Sequence, residues 1–371
     1  MIAELQLYIT DLIKNRKKGL LPSIGKGFLF ALSLPYKAII KTRNWAFDRG
    51  LLPKAKLQDN VIISVGNITV GGTGKTPFTL MLARSFMPFT KVAILSRGYR
   101  AANKTKDSRV LSQGFGPIYS AEECGDEAFL MATNLPEAVV VVGRDRCKSA
   151  ELTKKFGSRL LILDDGLQHR RLGRDLELVM VHADKPFGSG HFLPRGFLRD
   201  DPKSLSRADL VIGNGIHTQS QYDELKKQLR KYTSAPLVGI KMQFFTSQPI
   251  AGKRVGVFSG IAHPEQFHRD VSDAGAVIVA ERHFPDHFNY KAHSLDAFMH
   301  ECASKGAEMM VCTEKDWVKV MNFPQKALPI VWASTIPEIT VGQEHWKTFM
   351  VRSKDLCKNK LDDSTAPKPR A

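Results

Sequence analysis

Residues Ser64–Pro77 read SVGNITVGGTGKTP, and Gly71, Gly72, Gly74, Lys75 and Thr76 within them have the types and spacing that bind phosphate. Glycines let a turn take left-handed conformations and bring backbone N–H groups close to an anion, most effectively where a strand gives way to a helix. The lysine brings charge to the outer phosphates, and the hydroxyl after it can bind Mg2+. The usual pattern, G-x-x-x-x-G-K-[ST], opens on a glycine, whereas this chain has Thr69 there. An ordinary extended conformation at Thr69 would accommodate the change. A glycine-rich turn that holds no nucleotide is the competing reading.

A phosphate loop works with a carboxylate at the end of a neighbouring buried strand, which holds the metal or its water. RLLILDDG supplies four apolar residues and then Asp164 and Asp165, although two acids before Gly166 would also serve as a turn. Phosphoryl transfer to an alcohol further needs a carboxylate to accept the hydroxyl proton. CGDEAFLMA places Asp126 and Glu127 at the start of a helical run. An N-cap at Asp126, with Glu127 facing the helix dipole, explains that pair without catalysis. HFPDH sets His283 and His287 four residues apart, but Pro285 breaks the helix that would aim both at zinc. N-K-x-D, the guanine signature, occurs at 359–362 in a polar tail with no strand before it, so guanine specificity is unsupported.

These residues need a scaffold, and from residue 61 the chain supplies one by alternation. NVIISVGN, KVAILSRGY, AVVVVGR, RLLILDDG and LELVMVHA contain nearly continuous Val/Ile/Leu runs, as in strands covered on both faces, and helical or polar stretches separate them. The expected fold class is α/β, a P-loop NTPase-like, doubly wound, mostly parallel sheet with a second, smaller α/β lobe and an N-terminal membrane-associated helical segment. The expected division is a basic membrane-association segment at 1–60, a P-loop core at 61–235 and extended linker strands at 236–252. A smaller α/β lobe at 253–348 and a disordered tail at 349–371 complete it.

The totals restrict the partners. In 371 residues, 54 Lys and Arg against 37 Asp and Glu give a net charge of +17, which favours anionic partners. No basic patch interleaved with aromatic residues lies outside the amino terminus, so nucleic acid is not expected. Five scattered cysteines with no C-x-x-C argue against a disulfide framework and suit a reducing compartment. No uninterrupted apolar run reaches 18 residues, and no secretion signal is legible. GFLFALSLPY, flanked by basic residues, suits either the plane of a membrane interface or a helix packed on the main domain.

Taken in order, SVGNITVGGTGKTP, LSRGY, GDE, VVVGRDR, LDDGLQHRRL, LPRGFLRD, FPDHFNY and TEKD resemble the tetraacyldisaccharide 4′-kinase (lipid A 4′-kinase) family over about residues 60–320. That family shares the non-glycine entrance to the loop. The resemblance implies transfer of the γ-phosphate of ATP to the 4′-hydroxyl of an acylated glucosamine disaccharide 1-phosphate, forming lipid IVA at the cytoplasmic face of the inner membrane. It implies that Thr69, Val70, Gly71, Gly72, Thr73, Gly74, Lys75 and Thr76 hold ATP, with Lys75 on the outer phosphates. Asp126 is then the base and His287 its partner. Thr76, Glu127, Asp164 and Asp165 hold Mg2+ or its water, and Tyr99, Gln168 and Arg199 occupy other active-site positions. With Asp126 and His287 assigned to different lobes, closure of the lobes is expected to complete the site. A P-loop ATPase or switch acting at the membrane surface or on nucleic acid is the alternative. No oligomeric state follows from the residues.

Overall fold

The computed structural model describes residues 8–9, 11–98, 107–261, 264–323 and 327–365. The chain divides into two compact units, each built from separated stretches. Residues 1–95, 157–241 and 338–371 form the first, and residues 96–156 and 242–337 the second. The expected boundary inside a continuous 61–235 core is therefore corrected, because 96–156 joins the later residues. The helix Asp126–Asn134 is bound there: Asn134 Nδ2 donates to Glu314 Oε1 at 2.7 Å.

Six strands run parallel in the order Leu237–Thr246, Leu210–Asn214, Leu176–His182, Val61–Asn67, Leu160–Asp164, Val92–Ser96, all in the first unit except Ser96 and the residues after Lys241. Every residue of the Val61–Asn67 and Leu160–Asp164 strands is buried, as their unbroken apolar runs demand. The helix Lys75–Phe86 follows the first of these. Its Phe78, Leu82 and Phe86 recur every fourth residue and are fully buried, each contributing about 1.5–3 kcal/mol of apolar burial.

The helix Leu20–Asp48 contains Pro35 without ending there. It buries Ser33, Ile40, Asn44 and Phe47, and Asn44 Nδ2 donates to Asp200 Oδ1 at 2.7 Å. Leu20, Leu21, Ile24, Phe28, Ile39 and Trp45 on it are more than half exposed. No described helix is long and apolar enough to cross a membrane.

The expected disorder of 349–371 is corrected over 349–365, since Gln343–Thr365 is one helix, and 366–371 lie outside the described residues. Phe349, Ser353 and Cys357 repeat every fourth residue and are buried, a helical stripe hidden within a polar composition. Trp346 packs edge-on against Phe78 with ring centroids 5.8 Å apart, Arg352 meets Asp209 at 2.9 Å, and Lys360 meets Asp175 at 2.8 Å.

The second unit has four parallel strands in the order Val277–His283, Arg254–Ser259, Met309–Thr313, Ile330–Val341, the last of them as far as Pro337. It also holds an antiparallel pair, Arg109–Gln113 with Val139–Val142. The aromatic side chains of Phe258, Phe284, Tyr290 and Phe298 pack among them. All five cysteines are free thiols.

Candidate functional site

The glycine-rich turn occupies the C-terminal end of the Val61–Asn67 strand, in the first unit. Thr69 is extended and bridges Leu198 in antiparallel fashion, while Val70 N donates to Phe197 O at 2.8 Å. A residue with a Cβ fits that position, so no entry glycine is required. Gly71 and Gly74 take φ of 114° and 82°, conformations that other residues rarely adopt. Gly74 is also the N-cap of the Lys75–Phe86 helix, whose first-turn amides have no intrahelical acceptor. Thr73 is buried and held from two sides. Asn67 Nδ2 donates to its Oγ1 at 2.9 Å, and Asn214 Nδ2 to its carbonyl at 3.2 Å. Gly71 and Gly72 are exposed, with open space where a Cβ would project.

Asp164 is buried at the end of its strand, in register with Val65 of the strand that leads into the turn. Asp165 takes a φ of 55°, which swings its carboxylate toward the turn's own cation: Lys75 Nζ lies 3.5 Å from Asp165 Oδ1. Arg199 donates to both oxygens of Asp165, to Oδ2 at 2.8 Å, and also to Asn67 Oδ1. Burial alone would raise the Asp165 carboxyl. The Arg199 hydrogen bond and the charges of Lys75 and Arg199 outweigh it and hold the group well below the carboxylate range. Gly166 follows because a Cβ there would lie 2.4 Å from Ser64 Oγ. Gln168 Nε2 donates to the Asn67 carbonyl at 2.9 Å, so Gln168 braces the strand end.

The second constellation lies wholly within the other unit. His287 Nδ1 stands 2.9 Å from Asp126 Oδ2. Both residues belong to one compact unit, so the expected assignment to different lobes is wrong, and no lobe closure is needed to pair them. Asp126 is the first residue of its helix, with Gly125 as N-cap, and caps nothing with its side chain. Lys319 Nζ lies 2.7 Å from the same oxygen, Oδ2. Burial pushes the Asp126 carboxyl up, but the hydrogen bonds from His287 and Lys319 prevail and lower it.

TEKD accounts for much of this arrangement, residue by residue. Thr313 caps the helix Glu314–Val320 by accepting from Asp316 N. Glu314 holds Asn134 of the Asp126 helix. Lys315 Nζ is 3.3 Å from His287 Nε2. Asp316, fully buried, accepts from Gly260 N at 3.0 Å, Thr313 Oγ1 at 2.6 Å and Tyr290 OH at 3.0 Å. Gly260 in turn accepts from His287 N at 3.1 Å, fixing that residue at a φ of 64°.

Asp126, His287 and Lys319 share a cleft of about 900 Å3 with Tyr119, Phe129 and Tyr290. Beside it, burial pushes the Cys124 thiol up to about 12, which excludes it as a nucleophile at neutral pH. The two histidines of HFPDH part company. His287 turns to Asp126, whereas His283 lies near Glu281 and His268, whose Nδ1 is 2.7 Å from Glu281 Oε2. Among the described residues those three form the one group with metal-ligand spacing, but Glu281 and His283 are exposed and His268 Nδ1 already contacts Glu281. Glu127 stands beside Asp126 in the second unit, apart in the division from Thr76, Asp164 and Asp165 of the first. Tyr99 lies outside the described residues. Sequence reasoning missed Lys319, Asn67 and Asn214. Lys319 had a readable signal, one helical turn beyond Lys315.

The architecture is thus a mixed α/β fold with a mostly parallel sheet. LpxK from Aquifex aeolicus, solved in complex with ATP, is similar in structure, with a TM-score of 0.74 and 29% identity over 88% of this chain and 99% of that one. A family model for tetraacyldisaccharide-1-P 4′-kinase matches residues 26–353. The tetraacyldisaccharide 4′-kinase of Anaeromyxobacter dehalogenans strain 2CP-C is 38% identical over 82% of this chain and 84% of its own. That of Anaeromyxobacter strain K is 35% identical over 96% of both. The chain belongs to the tetraacyldisaccharide 4′-kinase family.

Proposed function

We propose that the chain transfers the γ-phosphate of ATP to the 4′-hydroxyl of a tetraacyldisaccharide 1-phosphate, with the glycine-rich turn holding ATP and Asp126 taking the hydroxyl proton. Family membership supports the reaction. The observation that carries the chemistry is the cleft-lining Asp126 carboxylate, kept ionised by His287 and Lys319. Phosphoryl transfer asks mainly for positioning and charge neutralisation.

The residues divide the work. Backbone amides from Gly71 to Thr76 face the phosphates, and Lys75 gives up its Asp165 contact for the outer ones. Arg199 is poised beside Lys75 through their shared partner Asp165. Gln168 acts by bracing the strand end. Thr76 and the carboxylates of Asp164, Asp165 and Glu127 are hard oxygen donors of the kind that suit Mg2+, and the register of Asp164 beside Val65 puts a carboxylate at the base of the turn. Mg2+ bound there would neutralise phosphate charge. Asp126 accepts the hydroxyl proton, and His287 orients the carboxylate.

The helix Leu20–Asp48 would lay its exposed apolar side chains in the inner-membrane interface at the cytoplasmic face, where an acylated acceptor resides. ATP turnover by the purified protein should rise strongly when the disaccharide lipid is added. Turnover that ignores the lipid and responds instead to nucleic acid or a protein would favour a P-loop ATPase or switch.

A further inference from the structure

We propose that His268, Glu281 and His283 form a metal site of their own, which takes one divalent transition ion of the Zn2+ class at the edge of the second unit's sheet. The three ligand atoms lie within 4.8 Å of one another. His268 Nδ1 is 2.7 Å from Glu281 Oε2, and His283 Nε2 is 4.0 Å from Glu281 Oε1, so the carboxylate turns one oxygen to each ring. The two imidazoles lie side by side, with centroids 4.5 Å apart and planes 34° apart. Tetrahedral ligands with bonds of about 2.0–2.1 Å stand about 3.4 Å from one another. A small turn of the exposed His283 side chain closes the group on an ion.

The fold holds these side chains on two packed elements. His268 stands on the helix Pro264–Asp273, whose Phe267 and Val271 are buried. Glu281 and His283 are two residues apart on the outermost strand, Val277–His283, and so share one face of it. A β-bulge between Ile278 and Ala280 shifts the register just before them, a device that re-aims side chains. Arg282, between the two, turns the other way, 4.7 Å from the centre of the Phe298 ring and 2.9 Å from Glu301. Among the described residues Glu281 therefore pairs with imidazoles alone, in a chain whose net charge is +17. His268 Nε2 is buried without a protein partner, so an ion entering at Nδ1 displaces one contact, the approach to Glu281. Exposure of Glu281 and His283 leaves a fourth position to water, the arrangement of an open zinc site. Two imidazoles and one carboxylate suit Zn2+, Co2+, Ni2+ or Cu2+, whereas Mg2+ prefers an octahedron of oxygens. Because the ion bridges helix and edge strand, its binding should stabilise the native state.

The test is a Co2+ titration of the untagged full-length protein, first freed of metal by chelation, in excess Mg2+ to occupy sites made of hard oxygen donors. One Co2+ per chain should bind with the intense visible absorption of four-coordinate cobalt and without a thiolate charge-transfer band, and Zn2+ should displace it. His268→Gln and His283→Gln should each weaken binding about a hundredfold or more, beyond the 10–100-fold that follows loss of a partner behind a ligand. His345→Gln, at an exposed histidine of the first unit, should leave binding unchanged. Saturating Zn2+ should raise the melting temperature of wild type and not that of His283→Gln. Failure of wild type to bind Co2+, or only the weak spectrum of octahedral cobalt, would overturn the proposal. Binding that survives His283→Gln undiminished would do the same. Since His283 is exposed, that variant decides the matter even if His268→Gln does not fold.

Discussion

Arg199 grips both carboxylate oxygens of Asp165, and Lys75 of the glycine-rich turn leans on the same side chain. The folded-state pKa of Asp165 is therefore depressed, so its contribution to stability is present above the ordinary carboxylate value and is lost as pH falls toward the depressed one. Asp165→Asn should lower stability at pH 7 by about 1–2 kcal/mol, modest because the side chain remains partly wet. The gap from wild type should narrow on acidification below about pH 4. Chemical denaturation at pH 7 and pH 3 checks this, and a constant gap would contradict it.

Lys75→Ala removes the turn's only cation while the buried framework of Phe78, Leu82 and Phe86 stays in place. Transfer should fall about a hundredfold or more with little change in melting temperature. Steady-state kinetics beside a thermal melt separate the two effects.

The exposed side of the Leu20–Asp48 helix predicts a membrane phenotype separate from catalysis. Phe28→Asp should weaken co-sedimentation with anionic vesicles by about tenfold or more, the equivalent of one buried aromatic side chain. Raising the salt concentration should weaken binding of wild type as well, because the helix's flanks are basic. Retained vesicle binding by Phe28→Asp in low salt would point to a helix that stays in water.

Phe349 tests the C-terminal helix. It is buried and stacks on Trp346 at 5.8 Å. Phe349→Ala should cost about 3–5 kcal/mol, whereas Lys347→Ala on the exposed face should be neutral. Denaturant titration distinguishes this from a tail that contributes nothing.

Much of this molecule was legible because burial on two faces writes itself as unbroken apolar runs. VIISVGN, VAILS, LLILD and LELVMVH are all strands of the parallel sheet. LVIGN at 210–214 was missed because its apolar run is only three residues before Gly213 and Asn214, and RVLSQ at 109–113 because its mixed composition belongs to a strand only partly buried. The turn was readable down to Thr69, since local conformation decides a strand–turn–helix junction. The C-terminal helix was not, because its buried stripe of Phe349, Ser353 and Cys357 is too thin to stand out among lysines and aspartates. The Asp126–His287 pair was suggested by motif alone. Its membership of one compact unit depends on contacts 161 residues apart in sequence, which no local pattern encodes.

The central claim is that Asp126 accepts the proton of a sugar hydroxyl as it takes the terminal phosphate of ATP. Single-turnover transfer of labelled γ-phosphate to the tetraacyldisaccharide 1-phosphate, compared between wild type and Asp126→Asn at saturating ATP, tests it most directly. The account predicts intact ATP binding with a transfer rate reduced by about two to four orders of magnitude. Equal rates of labelled product formation would contradict it.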